Sequence, residues 1–150
     1  MSVSPQGMLL PKISVESAPF WEGASAGELR IQACSRCKRL RFPPRPMCPW
    51  CQSTERHWQA MSGRGTIWSF IVAHPPLLPG YAELSPFNVI TVALDDDPTI
   101  RVVGNLVSSG DGPINEIDPS TIEIGEAVSV VFAHLTDSIT FPRWIRCNVS

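Results

Sequence analysis

The amino-acid sequence predicts a mainly β protein with a short helical segment near its start, a small cysteine-rich ribbon and a five-stranded barrel. Two Cys-x-x-Cys pairs lie in the first third of the 150-residue chain, and five β-type segments follow them. Apolar residues make up 43% of the chain, which is ordinary for a globular protein. A chain of this length buries about 70% of the surface of its unfolded state, so it can build a hydrophobic core.

Four units follow one another along the chain. A start that contains prolines and a glycine predicts a flexible arm over residues 1–18. We expect a helical segment over residues 19–28, the ribbon over residues 29–60 and the barrel over residues 61–150. No stretch approaches the ~20 apolar residues of a membrane span, and no secretory leader is visible. These observations predict a cytoplasmic protein without a membrane segment.

The helical segment is predicted from its first turn. Ser17 offers an N-cap, and Pro19 suits the first turn because its fixed φ fits a helix and its missing N–H has no partner there. A helix that begins at about Pro19 places Phe20 and Trp21 on a buried face.

The cysteine pairs are the most specific feature of the sequence. Cys34 and Cys37 form the first pair, Cys48 and Cys51 form the second, and ten residues separate them. A two-residue gap lets both sulfurs of a tight turn point at one ion, and two such turns supply the four thiolates of a tetrahedral zinc site. Because four protein ligands leave no open position, we expect a structural zinc ion.

Other uses of these cysteines remain open at the level of sequence. A redox pair needs a thioredoxin-like βαβ context, and disulfides suit a secreted chain. An iron–sulfur cluster also takes four thiolates. Cys147 stands alone and predicts a partly buried thiol without a partner.

The segments around the cysteine pairs alternate like strands. Apolar residues at 29, 31 and 33 alternate with Arg30 and Gln32, residues 40–42 form a return strand, and His57 begins a third strand. This ribbon of about 30 residues is too small to fold without its metal.

The remaining residues predict a small barrel. Its strands are expected at Thr66–Ala73, Phe87–Leu94, Ile100–Val107, Ala127–Ala133 and Ile139–Ile145. Five strands with short connections and one long loop between the third and fourth favour an OB-fold, whereas a sandwich usually needs about seven strands.

Single residues refine the barrel prediction. Alternation places Trp68, Phe70 and Val72 on one face of the first strand. Gly104 suggests a bulge that bends the sheet, and Pro142 suggests that the last strand lies at an edge.

Charge is distributed unevenly although the net charge is only −2. Residues 30–64 carry eight basic side chains against Glu55 alone, whereas ten acidic residues from position 83 onward face three arginines. The basic ribbon is either a solvated surface or a patch for phosphate or for an acidic partner.

No catalytic constellation stands out. The three histidines, His57, His74 and His134, lie apart in the sequence, and no nucleophile elbow or phosphate loop occurs. The acidic run at residues 95–97 is explained by a turn before Pro98 more simply than by a hard-cation site.

The order of several motifs resembles a known family. The motifs are Pro19-Phe20-Trp21-Glu22-Gly23, the four-cysteine ribbon with Arg41-Phe42-Pro43-Pro44-Arg45-Pro46 inside it, Ser62-Gly63-Arg64-Gly65-Thr66 and Leu135-Thr136-Asp137. Over residues 19–146 the chain is similar to bacterial and archaeal zinc-ribbon/OB-fold accessory proteins encoded beside thiolases and other acyl-CoA enzymes. The resemblance implies a helical N-terminal segment, a rubredoxin-like ribbon and an OB-fold.

The resemblance also implies a function. Members accompany thiolase-type acyltransferases or aldolases, and some bridge two enzymes that share coenzyme A. We expect a non-catalytic subunit that binds acyl-CoA, a thiolase-type partner, or both. Because coenzyme A carries phosphates that suit arginine forks, Arg39, Arg41 and Arg45 are candidate phosphate contacts. The loop that carries Leu78 and Tyr81 either docks a partner or covers the barrel.

Two other functions stay open. A single-stranded nucleic-acid-binding OB-fold would use a basic groove with exposed aromatic side chains, but the barrel half of this chain is acidic. A stand-alone acyl-transfer enzyme would need an activated nucleophile. The sequence shows neither the basic barrel groove nor the activated nucleophile that these two functions need, so the accessory role is favoured.

Overall fold

The computed structural model describes residues 3–5 and 7–147, and it is mainly β. The ribbon comprises β1 (Arg30–Cys34), β2 (Leu40–Arg41) and β3 (Arg56–Ala60). The barrel comprises β4 (Arg64–Ala73), β5 (Phe87–Leu94), β6 (Arg101–Gly104), β7 (Ala127–His134) and β8 (Thr140–Arg146). The helices are α1 (Ala18–Ser25), α2 (Pro79–Ala82) and a 3₁₀ turn (Pro119–Thr121). None of the helices in this part of the chain has the length and apolar character of a membrane span.

Helix α1 carries aromatic residues into the core as the sequence predicts, but its ends differ from the prediction. Phe20 is buried, and Trp21, half-buried, meets it edge-on with ring centroids 5.1 Å apart. The helix ends at Ser25 because Gly27 takes a left-handed φ of +78°. Ser17 does not cap the helix, since its hydroxyl accepts a hydrogen bond from the Ser14 N–H at 3.0 Å.

The ribbon sheet has the order β2-β1-β3 with antiparallel pairing throughout. The predicted alternation is wrong at Gln32, which is fully buried like its neighbours Ile31 and Ala33. Its burial is possible because the side-chain oxygen accepts hydrogen bonds from Arg41 Nε at 2.6 Å and from the Arg45 N–H at 2.8 Å.

The barrel is a curled five-stranded sheet of order β6-β5-β4-β7-β8, which confirms the OB-fold. The two ends of this order approach each other just after β6. There the Val107 N–H donates to the Trp144 carbonyl at 2.8 Å, and the Trp144 N–H donates to the Asn105 carbonyl at 3.0 Å. A parallel bridge between Leu106 and Trp144 lies at the same place. Before this point β6 and β8 are not paired, so a seam remains in the barrel wall.

A register shift in β4 changes the predicted orientation of its side chains. The shift lies between Ile67 and Ser69 in the pairing with β5. As a result Ile67 is fully buried and Phe70 packs against the same apolar cluster, whereas Trp68 is 50% exposed. The prediction that Trp68 shares a face with Phe70 is therefore wrong, because a bulge adds one residue and reverses the alternation.

The role predicted for Gly104 also changes. It ends β6 rather than forming a bulge within the strand. A Cβ at this position would lie 3.0 Å from both Cδ1 and Nε1 of the Trp144 ring. Glycine is therefore suited to this position because the indole of β8 approaches the backbone of β6 closely.

One core joins the three units. The first cluster contains buried residues from α1, the ribbon and the barrel: Phe20, Leu29, Ile31, Ile67, Ile90, Val92, Leu94, Ile100, Val102, Leu106, Ile122, Val128 and Trp144. Burying an aliphatic or aromatic side chain contributes about 1.5–3 kcal/mol. The ribbon and the barrel are thus held together by apolar contacts as well as by the chain.

The second cluster also draws on the barrel strands, with Phe87 from β5 and Ala133 from β7. It contains Met8, Phe87, Val107, Ile114, Ala133 and Leu135, and the proline-rich loop contributes Leu77, Tyr81 and Leu84. The described part of the N-terminal arm therefore contacts the barrel, since Met8 is buried there and the Leu9 N–H donates to the Tyr81 hydroxyl at 3.2 Å. The loop covers this cluster, and only its Leu78 side chain is mainly exposed among the three residues Leu77, Leu78 and Tyr81.

Candidate metal centre and ligand-binding cavities

The two cysteine turns have the same local geometry. The residue after each pair adopts a left-handed conformation, with φ of 66° at Lys38 and 64° at Gln52. The N–H of Lys38 donates to the Cys34 carbonyl at 3.0 Å, and the N–H of Gln52 donates to the Cys48 carbonyl at 2.9 Å. Each turn therefore folds back tightly enough to bring its two sulfurs to one side.

The four predicted ligands meet. The sulfur atoms of Cys34, Cys37, Cys48 and Cys51 all lie within 4.8 Å of one another. The Cys34–Cys51 and Cys37–Cys48 pairs are separated by 3.5 and 3.6 Å. A tetrahedral zinc ion with Zn–S bonds of about 2.3 Å requires sulfurs about 3.8 Å apart, so this group fits the ion. The centre is a structural zinc site, because four thiolates leave no position for water or substrate.

The thiols of the centre differ in acidity. Backbone N–H groups, that of Cys37 first, outweigh desolvation and lower the pKa of Cys34 to about 6. The Ser53 N–H acts in the same direction on Cys51, but burial and hydrogen bonds with neighbouring thiols raise the pKa of Cys51 to about 11. Backbone donors therefore favour the thiolate at Cys34, and a metal ion favours the thiolate form of all four ligands.

The three arginines predicted to contact phosphate have different environments. Arg39 is exposed and lies over the Trp50 ring at 5.1 Å, and Arg45 is also exposed. Arg41 is only 3% exposed, and besides Gln32 its guanidinium donates to the Arg45 carbonyl at 3.0 Å. Arg41 therefore holds the ribbon from within, although its Nη1 has no partner among the described residues, and Arg39 and Arg45 are the two exposed candidates.

A small cavity lies beside two of these arginines, Arg41 and Arg45. This ribbon cavity, of about 260 Å³, is bordered by Arg45, Trp50 and Phe42 of the ribbon and by Thr99 and Ile100 of the barrel. The sequence indicated the basic residues but not the cavity, because Thr99 and Ile100 are far from the ribbon in sequence and lie beside it only in the folded chain.

A larger cavity lies at the seam between β6 and β8. This seam cavity, of about 420 Å³, is bordered by aromatic side chains of α1, the ribbon, the proline-rich loop and the barrel: Phe20, Trp21, Phe42, Tyr81, Phe87 and Phe141. Asn105 and Arg143 are the other polar residues that border it. Phe42 borders both this cavity and the ribbon cavity. Sequence patterns did not predict the seam cavity, because its wall combines residues that are far apart along the chain.

The histidines do not form a catalytic set in the described part of the chain. His57 Nδ1 lies 3.0 Å from Ser35 Oγ at the ribbon surface, and His134 Nδ1 lies 3.0 Å from Thr140 Oγ1. Neither imidazole has a carboxylate hydrogen-bonded to its other nitrogen among these residues, so the orienting group of a triad is missing. The Ser35–His57 pair was not predicted, since 22 residues separate its members.

Other reactive side chains also have structural surroundings. Cys147 is half-buried with Ser129 Oγ at 3.1 Å, so it does have a polar neighbour. Asp96 accepts hydrogen bonds from the N–H and hydroxyl of Ser62, and Asp97 accepts them from the N–H and hydroxyl of Thr99. The acidic run thus forms the turn that the sequence predicts.

The fold and the metal centre together define a class of protein. The four-cysteine ribbon and the OB-fold share one core, which places the chain among the zinc-ribbon/OB-fold proteins. Two family models match the chain: the ChsH2 rubredoxin-like zinc ribbon domain over residues 21–55 and the ChsH2 C-terminal OB-fold domain over residues 58–133. The chain therefore belongs to the ChsH2 zinc-ribbon/OB-fold family, which confirms the resemblance found in the sequence.

Two relatives of this chain are a subunit of an acyl-CoA hydratase and a scaffold protein. The alpha subunit of 3-oxo-4,17-pregnadiene-20-carboxyl-CoA hydratase of Mycobacterium tuberculosis is 34% identical over 142 residues, which cover 95% of this chain and 40% of that subunit. A DUF35 domain-containing scaffold protein of Methanothermobacter thermautotrophicus is 31% identical over 100 residues, which cover 66% of this chain and 67% of that protein. This chain thus spans two fifths of the length of the hydratase subunit.

A solved structure has the same architecture. A chain of the Ltp2-ChsH2(DUF35) aldolase superposes with a TM-score of 0.78 at 34% sequence identity. The superposition covers 91% of this chain and 98% of the other. The match extends over the helix, the ribbon and the barrel together, so the shared architecture is that of the whole unit.

Proposed function

We propose that this chain is a non-catalytic accessory subunit that docks onto a thiolase-type enzyme in the cytoplasm and binds acyl-CoA. Family membership supports the accessory role, since its relatives include a subunit of a hydratase, a scaffold protein and a chain of an aldolase complex. The seam cavity is the observation that carries the proposal of acyl-CoA binding. It is large and mainly apolar and aromatic, and no serine, cysteine or histidine among residues 3–5 and 7–147 borders it.

The positions of the cavities support a particular orientation of acyl-CoA. The acyl chain and part of the pantetheine lie in the seam cavity, where apolar side chains exclude water. The phosphates lie at Arg39 and Arg45, and the exposed Trp50 ring offers a stacking surface for the adenine. Phe42, which borders both cavities, lies between the two ends of the ligand.

The accessory role is tested by co-purification and by turnover. The full chain, tagged and expressed in its native host, is expected to retain a thiolase-type enzyme and to release no free coenzyme A from octanoyl-CoA when purified alone. Steady release of coenzyme A by the single chain would instead make it an enzyme. If the tagged chain is purified under mild conditions without any acyl-CoA enzyme, the proposal that it docks onto such an enzyme is contradicted.

Acyl-CoA binding is tested by calorimetry with octanoyl-CoA. An Arg39→Ala/Arg45→Ala variant is expected to bind octanoyl-CoA at least about tenfold more weakly, because charge-assisted contacts to phosphate are lost. Octanoyl-pantetheine, which lacks the nucleotide, should bind both proteins equally. Arg36→Ala removes a charge from the same ribbon away from the ribbon cavity and serves as the control. An equal loss with Arg36→Ala would indicate general attraction rather than a phosphate site.

A further inference from the structure

Another cavity is lined by residues of the loop between β6 and β7 and of the strands β7 and β8. This loop cavity has a volume of about 500 Å³, within the range of about 300–1,000 Å³ that is typical of small-molecule sites. Most of the side chains that line it are apolar, among them Leu84 and Leu135. Its polar side chains among the described residues are Asp111, His134 and Arg143.

The guanidinium of Arg143 is directed towards the loop cavity. Nη1 donates to the carbonyls of Gly110 at 3.1 Å and Gly112 at 3.0 Å, and Nη2 contacts Met8 Sδ at 3.6 Å. Gly112 and Met8 line the loop cavity, and neither of them lines the seam cavity. The charged end of the side chain therefore lies at the loop cavity, although Arg143 borders both cavities.

The charge of Arg143 is buried without an ionic partner. The residue is only 4% exposed, and it belongs to none of the three ion pairs in the described part of the chain. Nη2 carries two N–H groups, and the thioether of Met8, a weak acceptor, is the only acceptor it has among the described residues. Desolvation lowers the pKa of Arg143, although the charges of Asp111 and Tyr81 act in the opposite direction. An anion in the loop cavity would stabilise this buried cation.

The surroundings of the guanidinium favour a singly charged acid over a phosphate. The loop presents the carbonyls of Gly110 and Gly112 to Arg143, and the Asp111 carboxylate lines the same cavity. Carbonyl and carboxylate oxygens repel a doubly charged phosphate more strongly than a single carboxylate. A carboxylate is also the anion that one guanidinium binds well, and the apolar side chains suit an alkyl chain.

We infer that the loop cavity binds an alkyl carboxylate, with its carboxylate at the guanidinium of Arg143 and its alkyl chain against Leu84 and Leu135. The inference goes beyond the proposed function and does not depend on it, because acyl-CoA is assigned to the seam and ribbon cavities. It gives the subunit a second ligand, a free acid rather than a thioester. The cavity binds the acid and carries out no chemical step.

Calorimetry with octanoate and 1-octanol tests the recognition of the carboxylate by the full-length, zinc-loaded chain. We expect octanoate to bind at least about tenfold more tightly, because only the acid pairs with the guanidinium. Arg143→Gln keeps an N–H donor for the loop carbonyls but removes the charge, so its affinity for octanoate should fall to that for octanol. Equal affinities of the wild type for the two probes, or no binding of octanoate, overturn the inference.

The Asp111→Asn variant gives a prediction of opposite sign. Asparagine keeps the side-chain oxygen that accepts a hydrogen bond from the His134 N–H at 3.0 Å, but it no longer repels an anion in the cavity. Octanoate should therefore bind about threefold more tightly, while octanol affinity stays unchanged. Asp95→Asn is the control, because Asp95 is exposed and lines neither cavity. Unchanged or weaker octanoate binding by Asp111→Asn overturns the inference, also where Arg143→Gln does not fold.

Two blocking variants locate the acid. Leu84 lines the loop cavity but not the seam cavity, and Val103 lines the seam cavity but not the loop cavity. Leu84→Trp should weaken octanoate binding at least about tenfold, because the indole takes up space in the cavity, and Val103→Trp should leave it unchanged. The reverse result places the acid in the seam cavity and overturns the inference. Failure of octanoyl-CoA to bind the wild type would contradict the proposed function alone, because octanoate binding is measured separately.

Discussion

The side-chain oxygen of Gln32 accepts a hydrogen bond from Arg41 Nε at 2.6 Å inside the ribbon. The same oxygen accepts from the Arg45 N–H at 2.8 Å, and Arg41 in turn donates to the Arg45 carbonyl at 3.0 Å. This triangle fixes the segment that joins the two cysteine turns. It explains why a polar residue is buried in β1 and why Arg41 is withheld from the surface.

Gln32→Leu should destabilise the protein by about 3 kcal/mol, because it leaves a buried guanidinium N–H and a backbone N–H without an acceptor. Gln32→Glu keeps the acceptor and places a negative charge opposite Arg41, so we expect a loss of less than about 1 kcal/mol. Urea unfolding measures both values. A Gln32→Leu variant as stable as the wild type would show that the triangle contributes no stability.

Cys34→Ser should remove the bound metal and unfold the ribbon, since structural zinc contributes about 10–16 kcal/mol of apparent binding free energy. The zinc content measured by elemental analysis should fall from one ion per chain to near zero, and the midpoint of thermal unfolding should fall as well. Cys147→Ser is the matched control and should keep the metal, because its sulfur lies beside Ser129 and outside the cluster. Zinc retained by Cys34→Ser would contradict the ligand assignment.

Gly104→Ala should destabilise the barrel by about 1–3 kcal/mol, because the added methyl group meets the Trp144 ring and forces the seam apart. The variant should also weaken octanoyl-pantetheine binding, since Gly104 borders the seam cavity. Val103→Ala, at a neighbouring side chain that is 59% exposed, should change stability by less than about 0.5 kcal/mol. Equal stability of the two variants would argue against a tight approach of β6 and β8.

Asp118 should make stability depend on pH. The N–H of Ser120, and then its hydroxyl, hold the pKa of Asp118 below its ordinary value of 3.8. Because the folded state lowers this pKa, the stabilisation is fully present well above 3.8 and is lost as pH falls through the lowered value.

The corresponding test compares wild type with Asp118→Asn from neutral pH down to a pH well below 3.8, where the carboxyl group is protonated in both the folded and the unfolded state. Asparagine keeps an acceptor that does not titrate here, so the difference in unfolding free energy should shrink as the solution is acidified. Zinc loss at low pH affects both proteins alike and cancels in this difference. A difference that stays constant with pH would show that Asp118 does not contribute to the pH dependence of the unfolding free energy.

The sequence predicts the local features of this molecule well. The cysteine spacing identifies the metal ligands because a knuckle is built from four consecutive residues. The nearly continuous apolar and β-branched run over residues 87–94 predicts β5 with its observed bounds, because such a run is typical of a central strand with neighbours on both sides. Both predictions depend on neighbours in the chain, which a single sequence displays directly.

The features that the sequence misses depend on distant residues. The exposed Trp68 follows from a register shift in its pairing with β5, and the buried Gln32 follows from partners nine and thirteen residues away. The seam cavity needs α1, the ribbon and β8 in place together. Alternation predicts neither a bulge nor a buried hydrogen-bond network, because both arise from long-range packing.

The core shared by α1, the ribbon and the barrel restricts how these units can be exchanged by recombination. Since Phe20, Ile31 and Trp144 from the three units fill the same interior, exchanging one unit for a foreign equivalent would leave the others with mismatched surfaces. Recombination can therefore transplant this unit only whole. The similarity to the hydratase subunit agrees with this, since the alignment covers 95% of this chain and 40% of that subunit.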